Sequence, residues 1–504
     1  MITTRKNCLA ALLTSLALLC TAAGQAHAAP RNAARELGSI SGKNLTIAAS
    51  SDGAYTVLSA GSLSPVLRAT VEAEVDAHLL RSPDYPRHTV AQSQFTDLFG
   101  TGTALTVTHT GLQGRPDLVC VFRLYSDRAW GDVEVRVANT TPRPVSVTAI
   151  RAIRAEDAPV INLNGPPSAD RILSDSYSED RPQLAIRDLG SAPGGLHRAV
   201  GSQLIFNRQS GQSLFVAALT SEKFLTVFHL KELTIAGSPA IVSFEAVAEG
   251  TTEILRGESL HESPAAEQVD LALPVSPGES LSSERLMIAA GSDYHALLEQ
   301  YGEAVRSLHH GRVSAPTPIG WWSWTAYYFG LSQATAGTNI EWLAENLKSL
   351  GYTYFQADEG YQYARGEYTT PDANLFPLGL QHTAAQARRN GLTFGVWTAP
   401  FEVSQRASVY RDHKDWLLHN AAGDLIHIGY VTEKNDPLYA LDVTHPGAQA
   451  YLRQTYSTLR DWGVRFIKMD FMDDSAVEGA YYRPNTTALE AQRIGLGIIR
   501  EAVG

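Results

Sequence analysis

From Pro318 to Gly504 the chain alternates strand-like and helix-like segments, and this alternation restricts the fold more than any other feature. "PIGWWSW", "YTYFQADEG", "LTFGVWTAPF" and "VRFIKMDF" read as strands. Each is followed by a helical pattern, such as "NIEWLAENLKSLG", where Ile340, Leu343, Leu347 and Leu350 step by three and four before Gly351. Four strand–helix units form either the first half of a (β/α)8 TIM barrel or an open doubly wound sheet. The strands end in chemically capable residues: Trp324, Asp358-Glu359, Trp397 and Asp470. A barrel gathers its strand C-termini at one rim. No glycine-rich phosphate fingerprint follows a strand, which weighs against the nucleotide-binding sheet. The expected catalytic unit is therefore a partial TIM barrel over residues 317–504.

Upstream the texture differs. Residues 29–290 are rich in short Val/Ile/Thr/Phe runs separated by turn residues, the pattern of a large antiparallel β-sandwich. Residues 291–316 read as a helical linker, with Leu297, Tyr301 and Val305 on one side. Residues 1–28 read as a secretory signal peptide: Arg5 and Lys6, an apolar run, then Ala26-His27-Ala28. A secreted or periplasmic protein is expected. Cys20 is preceded by Leu19, where a lipoprotein site needs a small residue. Cys120 is the cysteine left after cleavage, so a buried thiol and no internal disulfide are expected.

The formal net charge is −11, and loss of the leader's two basic residues makes it about −13. Such a chain has no broad basic surface for nucleic acid, and its apolar leader is short for a membrane span. A neutral or cationic small substrate fits better. His309-His310 lacks metal-ligand spacing, so neither a metal nor another cofactor is expected.

The stretch "RFIKMDFMDD" places Lys468 and Asp470 two residues apart on a strand, facing the same way. A neighbouring ammonium keeps a carboxylate ionised, which suits a nucleophile. The same pattern also fits a buried salt bridge. Asp358 and Glu359 close the second strand, and Gly360 offers a turn that lets both reach the rim and grip hydroxyls. A cap or solvated loop is the alternative. In "GWWSWTAYYF", Gly320, Trp322 and Trp324 share one strand face, an aromatic platform for a sugar ring or part of the core. Trp397 is similar. Glu402 is another rim candidate or a loop charge.

Taken in order, "GWWSWTAYYF", "ADEGYQYARGEYTTPDANLFPLGL", "FGVWTAPFEVS", "HKDWLL", "ALDVTHPGAQAYL" and "FIKMDF" resemble glycoside hydrolase family thirty-six. That family holds α-galactosidases (melibiases), α-N-acetylgalactosaminidases and raffinose synthases. The resemblance covers about residues 315–504, and an N-terminal β-supersandwich is compatible with the region before it. It implies Asp470 as nucleophile, Lys468 and Asp358 as partners of sugar hydroxyls, and Trp324 as a wall of the sugar pocket. Glu359 stands where the family has a second aspartate.

A retaining hydrolase also needs an acid/base carboxyl group roughly 5–5.5 Å from the nucleophile. In the family this group comes from a later strand, and the chain reads as the N-terminal portion of a longer protein. No residue carries over to that position; Asp473 and Asp474, in the loop just after the nucleophile strand, are the alternatives that could come close. The expected substrate is an oligosaccharide or other α-galactoside. The alternatives are a non-catalytic or degenerate sugar-binding protein and an α-galactosyl transglycosidase. Pairing of two chains through their half barrels is a further expectation to be tested.

Overall fold

The computed structural model describes residues 34–62, 64–156, 160–174, 185–191, 195–252, 269–313, 317–431, 434–472 and 476–504. The leader assigned to residues 1–28 and the loop acids Asp473 and Asp474 lie outside the described residues.

The first half of the chain builds two ten-stranded antiparallel sheets. Their strands alternate as a half-buried pleat requires: in Leu45–Ser50 the side chains of Leu45, Ile47 and Ala49 are buried, and the residues between them are half-buried. Leu105, Leu118, Phe122, Val133, Val147, Ile153, Ile205 and Phe244 belong to the buried cluster shared by both sheets. Cys120 lies in that core as a free thiol. This is a sandwich of two facing layers.

The helix Tyr294–Leu308, capped by Asp293, follows the sandwich. It docks on it rather than standing free. Leu297 and Ala304 join the cluster of Phe215, Ala217 and Met287, and the Tyr301 hydroxyl donates to the Ala218 carbonyl at 2.8 Å.

The second half carries four parallel strands, Gly320–Trp322, Tyr354–Ala357, Thr393–Thr398 and Phe466–Met469, hydrogen-bonded in chain order. Chain order decides between the two α/β architectures. A doubly wound sheet reverses its strand order partway, whereas a barrel adds each strand beside the last. The sheet is a partial (β/α)8 barrel.

Its helices form for local reasons. Gln333–Asn346 begins with a Ser332/Thr335 capping box, Pro446–Asp461 with a proline in its first turn, and Ala488–Val503 with a Thr487/Glu490 capping box. Ile340, Leu343, Leu380, Ala384, Leu452 and Leu459 are buried in one cluster with the strand residues Phe355, Phe394 and Val396. Ala149, Val200, Leu225, Val227 and Val247 of the sandwich belong to the same cluster, so the two halves share a core. The Lys223 ammonium reaches Glu490 at 2.9 Å across the junction.

Two features differ from the sequence reading. The first strand stops at Trp322, and Trp324 opens a short helix, Trp324–Tyr327. Trp324 therefore does not share a strand face with Gly320 and Trp322. Between the third and fourth parallel strands, Glu402–Ser404, His427–Val431 and Asp436–Ala440 form a separate three-stranded antiparallel sheet. Its strands are short, and their periodicity is masked by the turns between them.

Candidate active site

The ends of the first, second and fourth parallel strands converge on one ammonium group. Lys468 sits opposite Trp397 in the register of neighbouring strands. Its Nζ lies 3.2 Å from Asp358 Oδ2 and 3.2 Å from Asp470 Oδ2. One lysine thus bridges carboxylates from two strands that are 112 positions apart in sequence (470 minus 358). The Trp322 ring lies 4.6 Å from the same Nζ. This is cation–π geometry.

Asp470 begins where the fourth strand ends. Its backbone N–H still donates to the Thr398 carbonyl at 2.8 Å, extending the pairing by one residue. Its Oδ2 accepts the Trp397 indole N–H at 2.8 Å, and its Oδ1 accepts the Phe471 amide at 3.1 Å. Burial pushes this carboxyl up, but the indole hydrogen bond and the Lys468 charge outweigh it and hold Asp470 below its ordinary value. A third of its side chain remains open to solvent.

Asp358 is its opposite. It is 2% exposed at the side chain, and its Oδ2 also accepts the Gln356 amide at 2.8 Å. Its own backbone N–H donates to the buried Ser323 hydroxyl at 2.9 Å. Burial pushes Asp358 up, and the Asp470 charge adds to the rise. The Glu359 amide and Lys468 offset only part of it. Two carboxyl groups around one lysine are therefore shifted in opposite directions, the buried Asp358 up and the more open Asp470 down.

Gly360 makes the turn after these acids. It adopts φ +118°, and a Cβ there would stand 2.7 Å from Phe329 Cα. A glycine is thus required twice, by conformation and by space. The contact also seats the segment after the first strand against the acidic turn. In that segment the Trp324 ring meets Tyr328 and Phe329 edge-on at 5.2 Å each.

Lys468, Asp470, Asp358 and Trp397 come together directly. Trp397 is 1% exposed, so its ring is not an open platform, and its N–H is what reaches the site. Glu359 does not open onto the rim. It is buried, and both of its oxygens are taken by Arg365, at 2.8 and 2.9 Å. Glu402 is no loop charge: it starts a strand, is 1% exposed, and accepts from Arg365 at 2.6 Å. Arg365, Gln356, Ser323 and Phe471 also belong to the site, and the sequence pattern does not single them out. Only Arg365 carried a signal, as a lone cation six residues after an acidic pair.

Residues 284–498 match the family model described as Melibiase. Over this stretch the chain is similar to the α-galactosidases, the melibiase type of glycoside hydrolase. This α-galactosidase-like chain is 28% identical over 228 residues to α-galactosidase C of Emericella nidulans, a match covering 40% of this chain and 28% of that protein. It is 29% identical over 160 residues to α-galactosidase AgaA of Geobacillus stearothermophilus, covering 30% of this chain and 21% of that one. The matched stretches are thus less than a third of either relative's length. In fold it is similar to the α-galactosidase from Lactobacillus brevis, with a TM-score of 0.57 at 13% identity, over 92% of this chain and 67% of that one. A solved AgaA variant in complex with raffinose gives a TM-score of 0.56 at 13% identity, over 93% of this chain and 70% of that one.

Proposed function

We propose that the chain carries the nucleophile half of a retaining α-galactoside hydrolase site. The observation that supports this most is the Lys468 bridge between an ionised, accessible Asp470 and a buried Asp358. In the proposed step an Asp470 oxygen bonds to the anomeric carbon as the glycosidic C–O bond breaks. The leaving oxygen keeps the electron pair and takes a proton from a carboxylic acid. Water then adds to the anomeric carbon and loses a proton, and Asp470 is released.

Lys468 and Asp358 are proposed to meet the sugar hydroxyls, with Trp324 and Trp322 bounding the ring. Trp397 holds Asp470 in place. Glu359 borders this pocket through Arg365 rather than by touching sugar directly. The expected substrate is an oligosaccharide or other α-galactoside, and raffinose in the AgaA complex is consistent with that class. The "AHA" site at residues 26–28 supports export. An N-terminus beginning at Ala29 in the secreted protein would test that assignment.

An aryl α-galactoside with an acidic phenol needs little protonation of its leaving group, so it reads the Asp470 step. Release of phenol by the chain, lost in Asp470→Asn, supports the proposal. Binding of galactose by calorimetry with no phenol release would instead favour a sugar-binding protein. Transfer of galactose to sucrose would favour a transglycosidase.

A further inference from the structure

Arg365 is buried, and it binds two carboxylates from different elements. Glu359, on the turn after the second strand, takes its Nε and one terminal nitrogen. Glu402, on the antiparallel strand Glu402–Ser404, takes the other terminal nitrogen at 2.6 Å. The guanidinium carbon then lies 4.2 Å from the centroid of the Phe471 ring and 5.3 Å from that of Trp397. These two residues supply N–H donors to Asp470, one to each carboxylate oxygen. Their own rings meet edge-on at 6.2 Å.

Phe471 also holds φ +51°, which a bulky residue adopts only when its surroundings impose it. The ring contact with Arg365 is one such constraint. Without Glu402, the guanidinium keeps a single carboxylate partner and can pivot about Glu359. Both donors to Asp470 then lose a fixed backing.

We infer that Glu402 is a positioning residue for Asp470, acting through Arg365 on Phe471 and Trp397. This rests on the reading of Asp470 as nucleophile, but its geometry can be read separately. A role confined to folding would lower stability without moving the hydrogen bond at Asp470.

The test uses the full chain and its Glu402→Ala and Glu402→Gln variants. The first readout is the rate at which 5-fluoro-α-galactosyl fluoride labels Asp470. In that step the Asp470 oxygen bonds to the anomeric carbon and fluoride departs with the C–F electron pair, so no acid is required. The second readout is the ¹⁵N–¹H indole resonance of Trp397, assigned by its loss in Trp397→Phe.

In Glu402→Ala the labelling rate at saturating probe is expected to fall about ten- to a hundredfold. The indole resonance is expected to move toward its position in Asp470→Asn. Glu402→Gln, which keeps an acceptor but not the charge, is expected to fall between. An unmoved indole resonance in the folded variants overturns the positioning role, whatever the labelling rate. If the unmodified chain takes no label, the galactoside reading fails, and the indole shift alone decides the positioning role. If Glu402→Ala does not fold, the resonance in Glu402→Gln decides it.

Discussion

Trp397 and Lys468 stand opposite each other on adjacent parallel strands, and both reach the same oxygen of Asp470. A backbone register thus fixes the surroundings of the proposed nucleophile. The indole contributes a directed hydrogen bond, and the ammonium contributes charge. Together they overcome the burial that would otherwise raise this carboxyl.

Replacing Lys468 by Met keeps the volume of the side chain and removes its charge. Asp358, 2% exposed at the side chain, then loses its cation. Activity on an aryl α-galactoside is expected to fall about a hundredfold or more. Steady-state kinetics on the folded variant check this, and unchanged kcat/KM would mean the bridge is only structural.

Trp397→Phe removes the hydrogen bond that does most to hold Asp470 down. The carboxyl rises, so more of it is protonated in mildly acidic solution. The acid limb of the labelling rate by an activated galactosyl fluoride is expected to shift to higher pH than in the unmodified chain. A limb at the same pH would assign it to another group, with Asp358 the first to examine.

Much of this arrangement was legible in the sequence, for identifiable reasons. Parallel strands alternating with helices leave a strong periodic signature, and strand-end acids follow from the period of two. The same period puts the lysine–aspartate pair, two residues apart, on one face. Long-range partners leave no such mark. Nothing local in "ADEGYQYARG" says that Arg365 turns back to take Glu359, or that it takes Glu402, 37 positions away. The burial of Trp397 could not be read either, because an aromatic residue on a strand suits a core and a platform equally. The strand's end before Trp324 leaves no mark, because the short helix Trp324–Tyr327 continues an aromatic run without a breaker.

Gly360→Ala introduces a Cβ 2.7 Å from Phe329 Cα at a backbone angle of +118°. The turn and the Phe329 segment cannot both keep their places. A loss of about 2 kcal/mol or more in chemical denaturation is expected, with weaker galactose binding. A variant as stable as the unmodified chain would show that this turn can relax.

Glu478 joins the sandwich to the last helix. Its carboxyl oxygens accept the Thr251 amide at 3.2 Å and the Ala488 amide at 2.9 Å. Burial pushes it up to about 7, with the two amides offsetting part of the rise. A carboxyl raised in the folded state holds a proton there that the unfolded chain has already released. Its contribution to stability therefore falls as pH rises from the ordinary glutamate value toward 7, and is level above that. Glu478→Ala leaves two buried amides bare, a loss of about 2–5 kcal/mol. The gap in stability between the two proteins is expected to narrow from pH 5 to pH 7. A gap that widens over this range would reverse the sign of the shift.

In the proposed reaction the Asp470 carboxylate attacks an anomeric carbon. Peptide mapping after incubation with 5-fluoro-α-galactosyl fluoride addresses it most directly. One glycosyl adduct on the peptide containing Asp470 is predicted, absent in Asp470→Asn and suppressed by free galactose. An adduct on a different carboxylate, or none on a folded chain that binds galactose, would contradict it.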